Sequence, residues 1–512
     1  MITEPKPSRL GPGFKTWLRD DPKAHEAILN GEKVEVAVTS YAANDFLLEF
    51  LMGSGLWEIL ASLRPRKLRK ENGKPWRALN GLEVLRELSH VDRIAHCGKV
   101  IADTRLMLIA GFNAEEIRRT RSRGDMLVDP ETLGNHLARM NGRDVIAAFY
   151  KHVALLREQK WIGPGVYAVD GHEITFPHAR GWPGMGKVGE AYGYKLVLLL
   201  RVSPGEERIV GFALGALHVS EHRLLEILLR QFEKHVCPVR KLVETLVMDR
   251  GYWGAEFLLR LRKRYGFHFV TRAQHDKLNV VKNVEGLLQD KEIAGPGVRV
   301  KEERSRLGKI KVHLWGFDKI PLCADGDREV GHANVVVADE LDAKGRPLLD
   351  SEGNARRLHY VTSLPAKGDP YAVRKRYLLR WIIENQGFRN LTQRWSLDTP
   401  PGRDYGSIFA RLFFVFVLAN AESVIEELFP GPWQEERKRL GRLGASGLIG
   451  GEPGLAAYTP KGQLGILSTE EYGALVARRE RATIIEELRR AHARGEGIEQ
   501  VLGRLAPPDQ PA

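Results

Sequence analysis

Val166-Tyr167-Ala168-Val169-Asp170-Gly171 is the stretch on which the reading of this chain turns: four apolar residues, then an acid, then a glycine. A short apolar run bounded by turn residues reads as a buried strand. Its last carboxylate then emerges at a strand terminus, where a glycine lets the backbone turn sharply. The arrangement recurs downstream, where Thr245-Leu246-Val247-Met248 closes on Asp249 ahead of Arg250-Gly251-Tyr252. One Asp-Gly after a strand is also a common hairpin signal. Two acid-terminated strands in one region are harder to assign to turns.

Along the chain from this point, strands are expected at 166–169, 194–202 and 209–218, an amphipathic helix at 224–235, a buried strand at 245–248, a helix at 255–265 and a strand at 267–271. Short links favour an antiparallel meander first, and the two helices then serve as crossovers to parallel strands. The fold class is therefore α/β, and the ribonuclease-H-like fold has this order. Residues 279–364 read as an all-β insertion with strands at 298–300, 310–315 and 333–338. Helical periodicity resumes at Tyr371 and continues to Phe416, with a break at 399–402. The expected organisation is a helical DNA-binding domain at 1–160, a first core segment at 161–278, the insertion at 279–365, a helical second core segment at 366–428 and a helical C-terminal region at 429–512.

Composition narrows the partners. Lys and Arg number 78 against 65 Asp and Glu, a formal charge of +13, which attracts polyanions such as double-stranded DNA. Cys97, Cys237 and Cys323 are scattered singly, so neither a zinc site nor a disulfide framework is expected, and a reducing cytoplasmic compartment fits. Residues 1–23 lack the apolar core of a signal peptide. The apolar run 412–419 is shorter than the roughly 20 residues a bilayer requires, and reads as a buried helix rather than a membrane contact.

Between 40 and 161 the pattern is helical, with start signals at Asn113 followed by Glu116 and at Asp129 followed by Pro130. The first of these helices carries Arg118, Arg119, Arg121 and Arg123. Two short helices joined by a turn suit a DNA groove; the same arginines also read as a solvated basic face.

Glu384 lies in Tyr377-Leu378-Leu379-Arg380-Trp381-Ile382-Ile383-Glu384. Offsets of three and four put Tyr377, Arg380 and Glu384 on one helix face within an otherwise apolar segment. Cutting a phosphodiester requires charge neutralisation at both the attacking and the leaving oxygen, which two Mg²⁺ or Mn²⁺ ions held by carboxylates provide. Asp170, Asp249 and Glu384 are the catalytic and metal-binding candidates, and Arg380 can hold the third acid or a phosphate in fork geometry. His172 and His178 read as polar loop histidines. Trp315, in the insertion, is a candidate for stacking on an unpaired base or for a small β core.

These residues resemble the DDE transposases of bacterial insertion sequences, in the group whose signature is Tyr, two residues, Arg, three residues, Glu, six residues, Lys. Tyr377, Arg380 and Glu384 match its first three positions. Asp170 with the later strand Tyr194-Lys195-Leu196-Val197-Leu198, Asp249 before Arg-Gly, and a β-rich segment between the second Asp and the Glu also match, over about 166–420. The resemblance implies a metal-dependent enzyme that binds an element's ends, pairs them as a homodimer, cuts and joins DNA; the helix at 470–492 is a candidate for the pairing. Rivals are a metal nuclease that does not join, and a non-catalytic DNA-binding descendant, against which the three retained acids argue.

One position departs. The family Lys falls at Leu391. On an unbroken helix of about 100° per residue, position 391 lies within roughly 20° of Glu384, Arg389 about 140° away, and Arg394 about 80° from Glu384 but only about 40° from Arg380. Arg394 is then the expected substitute for the missing charge.

Overall fold

The structure is a computed structural model that describes residues 30, 35–42, 46–66, 73–176, 181–203, 206–273, 278–305, 308–324, 328–350, 352–442, 453–458, 464–467, 470, 473, 481–497 and 500–501. The chain divides into two compact units, Val153–Arg394 and the remainder, Met1–His152 with Trp395–Ala512.

A ten-stranded sheet runs through the unit Val153–Arg394. Its elements follow the chain as β1 (Gly165–Thr175), β2 (Gly186–Val188), β3 (Ala191–Arg201), β4 (Arg208–Ala216), α1 (Glu221–His235), β5 (Val243–Met248), α2 (Ala255–Tyr265), β6 (His268–Arg272), α3 (Asn279–Gln289), β7 (Val298–Ser305), β8 (Gly308–Cys323), β9 (Glu329–Leu341), β10 (Arg357–Thr362) and α4 (Pro370–Leu378). The sheet order is β2-β3-β1-β5-β6-β10-β9-β8-β7, with β4 also paired to β3. Among the described strands only β1 with β5 and β5 with β6 are parallel. Each parallel step needs a crossover, and α1 and α2 supply them.

Local chemistry explains the pieces. Leu196, Val197, Leu198, Leu199 and Leu200 make β3 apolar on both faces, which suits a strand covered on both sides. α1 starts at Ser220, whose hydroxyl accepts the Arg223 N–H, and buries the stripe Leu224, Leu225, Leu228, Leu229 and Phe232. It packs closely on β4 because position 211 is glycine: a Cβ there would stand 2.7 Å from a Leu228 methyl.

Three expectations are corrected. β1 does not end at Asp170 but runs on to Thr175, paired with β3 throughout, as far as Thr175 opposite Gly193. It is the parallel neighbour β5 that stops, with Met248 opposite Val169, so Asp170 emerges where its partner ends rather than where its own strand ends. The segment 279–364 is not all-β, because it opens with α3, whose Val280, Val281 and Val284 are buried. β-branched valines favour a strand by propensity, but their spacing of one and then three fits a helix packed by one face. Nor do its strands form a separate body, since β10 pairs with β6, Val361 opposite Thr271, and continues the sheet.

The other unit is helical over most of its described residues, including Trp76–Leu88, Ala114–Ser122, Pro130–Ala138 and Tyr405–Leu428. The C-terminal region is not wholly helical. Gly454–Tyr458 and Leu464–Leu467 form a three-stranded sheet with Glu35–Thr39, a pairing across more than four hundred residues that no local pattern announces. Arg411 joins the two halves again through Glu87, 3.2 Å away, itself bonded to the buried Arg86. Tyr405–Leu428 has the length and hydropathy to cross a membrane, yet 89% of its most apolar stretch is buried inside the protein. Of the expected helix at 470–492, the structure describes the part within Arg481–Ala493 and positions 470 and 473.

Candidate active site

Because Val169 faces Met248 across the parallel pair, the next residues, Asp170 and Asp249, stand side by side at the end of β5. Asp249 leaves the strand into a tight turn, with the Tyr252 N–H donating to its carbonyl at 3.0 Å. The Thr271 hydroxyl of β6 donates to the same carbonyl at 3.1 Å and fixes where that turn begins. The Asp170 carboxylate accepts the Gly171 N–H at 2.9 Å.

The third acid arrives on a helical stretch of changing pitch. α4 ends at Leu378 and tightens, with Arg380 N–H on Tyr377 O and Ile383 N–H on Arg380 O, both i→i+3 bonds. It then widens into a π turn over Ile383–Phe388, in which the Arg389 N–H donates to the Glu384 carbonyl. The stretch packs on β1, where the Phe388 ring stacks on His172 with centroids 5.1 Å apart. His172 is thus a strand residue in an aromatic contact, not a loop histidine.

Arg380 lies at the centre. Its Nη1 is 3.5 Å from Asp170 and bonded to Glu384, and its Nε is 3.8 Å from Asp249. Tyr377 and Trp381 flank the guanidinium, 5.7 and 5.1 Å from their ring centres. The expected stripe Tyr377, Arg380, Glu384 is therefore a set of contacts, and it faces both aspartates. Burial pushes the Asp170 carboxyl up to about 7, opposed by the Gly171 N–H and Arg380 and reinforced by Asp249 and Glu384.

Three carboxylates gathered on one cation are the hard oxygen donors that divalent cations take. Among the described residues, however, no three His, Cys, Asp or Glu side chains already stand close enough together to hold an ion directly. The donor set fits divalent cations in kind, while in this arrangement the guanidinium supplies the positive charge.

One neighbour was missed in the sequence. Glu221, the first residue of α1, leaves so little space that a Cβ at Gly171 would lie 2.5 Å from its carboxyl carbon. Lys195 stands 3.9 Å from Glu221, and burial raises the Glu221 carboxyl. The glycine after Asp170 was the available signal, but it reads equally as a turn.

The remaining candidates fall elsewhere. Arg118, Arg119, Arg121 and Arg123 are exposed and belong to the other compact unit, on the helix Ala114–Ser122 and its C-terminal cap. Asn113 and Asp129 cap helix starts as expected. Arg118 is 2.6 Å and Arg119 3.6 Å from Glu115, and Arg121 donates to the Ala102 carbonyl. Trp315 is half-buried on β8 with its ring 3.8 Å from that of His313, and β6, β10 and β9 separate β8 from β5. His178 lies outside the described residues.

The angular reading of 389, 391 and 394 is also corrected. It assumed α-helical pitch, whereas the π turn inserts a residue and rotates every later position by about 100°. Leu391 is 1% exposed and packs inward. The i→i+5 bond stacks Arg389 one turn beyond Glu384, while Arg394 falls at the end of the next helix, Arg389–Gln393.

A family model described as the transposase DDE domain matches residues 161–421, 261 of the 512. The matched segment takes in Asp170, Asp249 and Glu384. No curated protein matches the chain.

Proposed function

The chain belongs to the transposase DDE-domain family, and from that membership we propose that it is the transposase of a bacterial insertion sequence, cutting and joining double-stranded DNA at a site built from Asp170, Asp249 and Glu384. The observation that carries this reading is the convergence of three acids, from two neighbouring strands and one helical stretch, on Arg380. The strand sequence supports a ribonuclease-H-like core: antiparallel β1, β3 and β4, then β5 and β6 parallel to β1 through helical crossovers. On this reading residues 161–278 and the part of the expected second core segment 366–428 that ends at Arg394 form the core around the inserted segment at 279–365, the rest of that segment belonging to the other compact unit, and the N-terminal helices with Arg118, Arg119, Arg121 and Arg123 hold DNA phosphates.

Two Mg²⁺ or Mn²⁺ ions, held by the three carboxylates, would supply the charge neutralisation that phosphoryl transfer demands. The protein's own groups do the rest. Burial raises the Asp170 carboxyl to about 7, so it is only partly ionised at neutral pH. Thr271 fixes the backbone of Asp249 through its carbonyl, and the Asp249 carboxylate faces Arg380. Arg380, once it gives up part of its hold on the acids, presents a planar fork suited to a phosphate. Trp315 is the proposed base-stacking residue. Action as a homodimer on paired ends, in the cytoplasm, completes the proposal.

The test uses the full chain, Mg²⁺ and duplexes carrying the DNA that flanks its coding region. Asp170→Ala, Asp249→Ala and Glu384→Ala should each abolish cleavage while leaving duplex binding intact. Full cleavage by any one variant removes that residue from the site. Strand transfer from pre-cut ends separates a transposase from a nuclease that does not join.

A further inference from the structure

Arg374 lies on α4 with 1% of its surface exposed. Every nitrogen of its guanidinium is engaged. Nε stands 3.1 Å from both Glu303 oxygens, Nη2 2.6 Å from Glu303 and 2.6 Å from Glu340, and Nη1 donates to the Tyr360 hydroxyl at 2.8 Å. Arg356 pairs with the other Glu340 oxygen at 2.7 Å, so two guanidinium groups balance two carboxylates. Glu303 comes from β7, Glu340 from β9 and Tyr360 from β10, three of the strands that extend the sheet beyond β6.

The network continues to the acids. The Tyr360 ring packs on Tyr377 with centroids 4.9 Å apart, and Tyr377 lies beneath Arg380, which holds Glu384. Val373 and Tyr377 share one apolar cluster with Val247 of β5 and Val270 of β6, the strands that lead to Asp249 and carry Thr271. The path from Arg374 to the site is one side of α4.

We propose that Arg374 is a positioning residue for the reaction: through it the inserted strands fix the placement of α4, and with it Arg380 and Glu384 opposite Asp170 and Asp249. The physical need arises from the tight turn and the π turn beyond α4, because a stretch of mixed pitch does not set its own register by regular hydrogen bonding. Apolar side chains tolerate repacking with small shifts. A desolvated guanidinium gripped by two carboxylates and a phenol does not, since each bond has a fixed direction and a broken one strands a buried charge.

This inference rests on the metal-dependent cleavage proposed above, so its test has one arm that needs no cleavage. Arg374→Met alone leaves Glu303 unpaired and risks unfolding; Arg374→Met/Glu303→Met removes both charges and keeps the Arg356–Glu340 pair. The double variant of the full chain should melt near the wild-type temperature and bind the flanking duplex with unchanged KM. Its kcat for Mg²⁺-dependent cleavage should fall on the order of a hundredfold, the scale of a misplaced catalytic group, and amide hydrogen exchange should quicken at 380–389. Arg374→Lys should recover part of both effects. A well-folded double variant with wild-type kcat and wild-type exchange at 380–389 would overturn the proposal. If the wild type itself does not cleave, the functional reading fails and the exchange comparison alone decides for or against Arg374.

Discussion

Arg380 stands 3.5 Å from Asp170, although 210 positions separate them in the chain. The guanidinium is the counter-charge for all three acids, and that makes the site sensitive to its removal. Arg380→Gln should destabilise the metal-free protein at neutral pH by about 1–3 kcal/mol, below the full value for a buried pair because Asp249 and Glu384 are each about a third exposed. Thermal melts with added Mn²⁺ should recover much of the loss in Arg380→Gln and little in the Asp249→Asn/Arg380→Gln double variant. Equal recovery in both would show that the ion acts elsewhere.

The raised Asp170 carboxyl gives a stability effect of definite sign. Its pKa is about 7 in the folded chain against an ordinary value of 3.8, so the folded state binds the proton more tightly. The stabilisation is complete below about pH 4 and is lost as pH rises toward 7. In chelator, Asp170→Asn should therefore gain stability relative to wild type between about pH 4.5 and 7.5. Parallel pH curves for the two proteins would contradict the shift.

The π turn ranks the two arginines beyond Glu384. Arg389 stacks next to Glu384 and Arg394 lies farther along, so Arg389→Ala should cost more than Arg394→Ala in cleavage of paired ends. A tenfold loss, about 1.4 kcal/mol, is the scale of one phosphate contact. A larger loss in Arg394→Ala would restore the α-helical reading.

The arginines of the helix Ala114–Ser122 should act through phosphates. Neutralising Arg118, Arg119, Arg121 and Arg123 should lower the slope of log K against log salt by roughly 3, slightly under the limit of about 0.9 per contact, because Arg118 is partly held by Glu115. Titrations of a duplex at three salt concentrations give the slope. An unchanged slope would leave these residues as a solvated face.

The legibility of each feature depends on how far along the chain its causes lie. The three acids and Arg380 could be singled out as candidates because their signals are local: an apolar run that stops at a carboxylate, and spacings of three and four, need nothing from elsewhere in the chain. The order of strands and helices from β1 to β6 was readable for the same reason, apart from β2, a three-residue strand too short to leave a pattern. Three kinds of fact were not. That Asp170 sits in mid-strand depends on where a different strand, β5, stops. That Leu391 turns inward depends on the π turn, which trades backbone bonds against packing on β1 and leaves no residue signature. That Glu303 and Glu340 are the partners of Arg374 depends on how β7 and β9 join the sheet, since a charge reads as surface until a fold supplies its counter-charge. Sequence set the chemistry available at each position; non-local strand pairing, whose loop-closure entropy only the finished sheet repays, decided which of those groups meet.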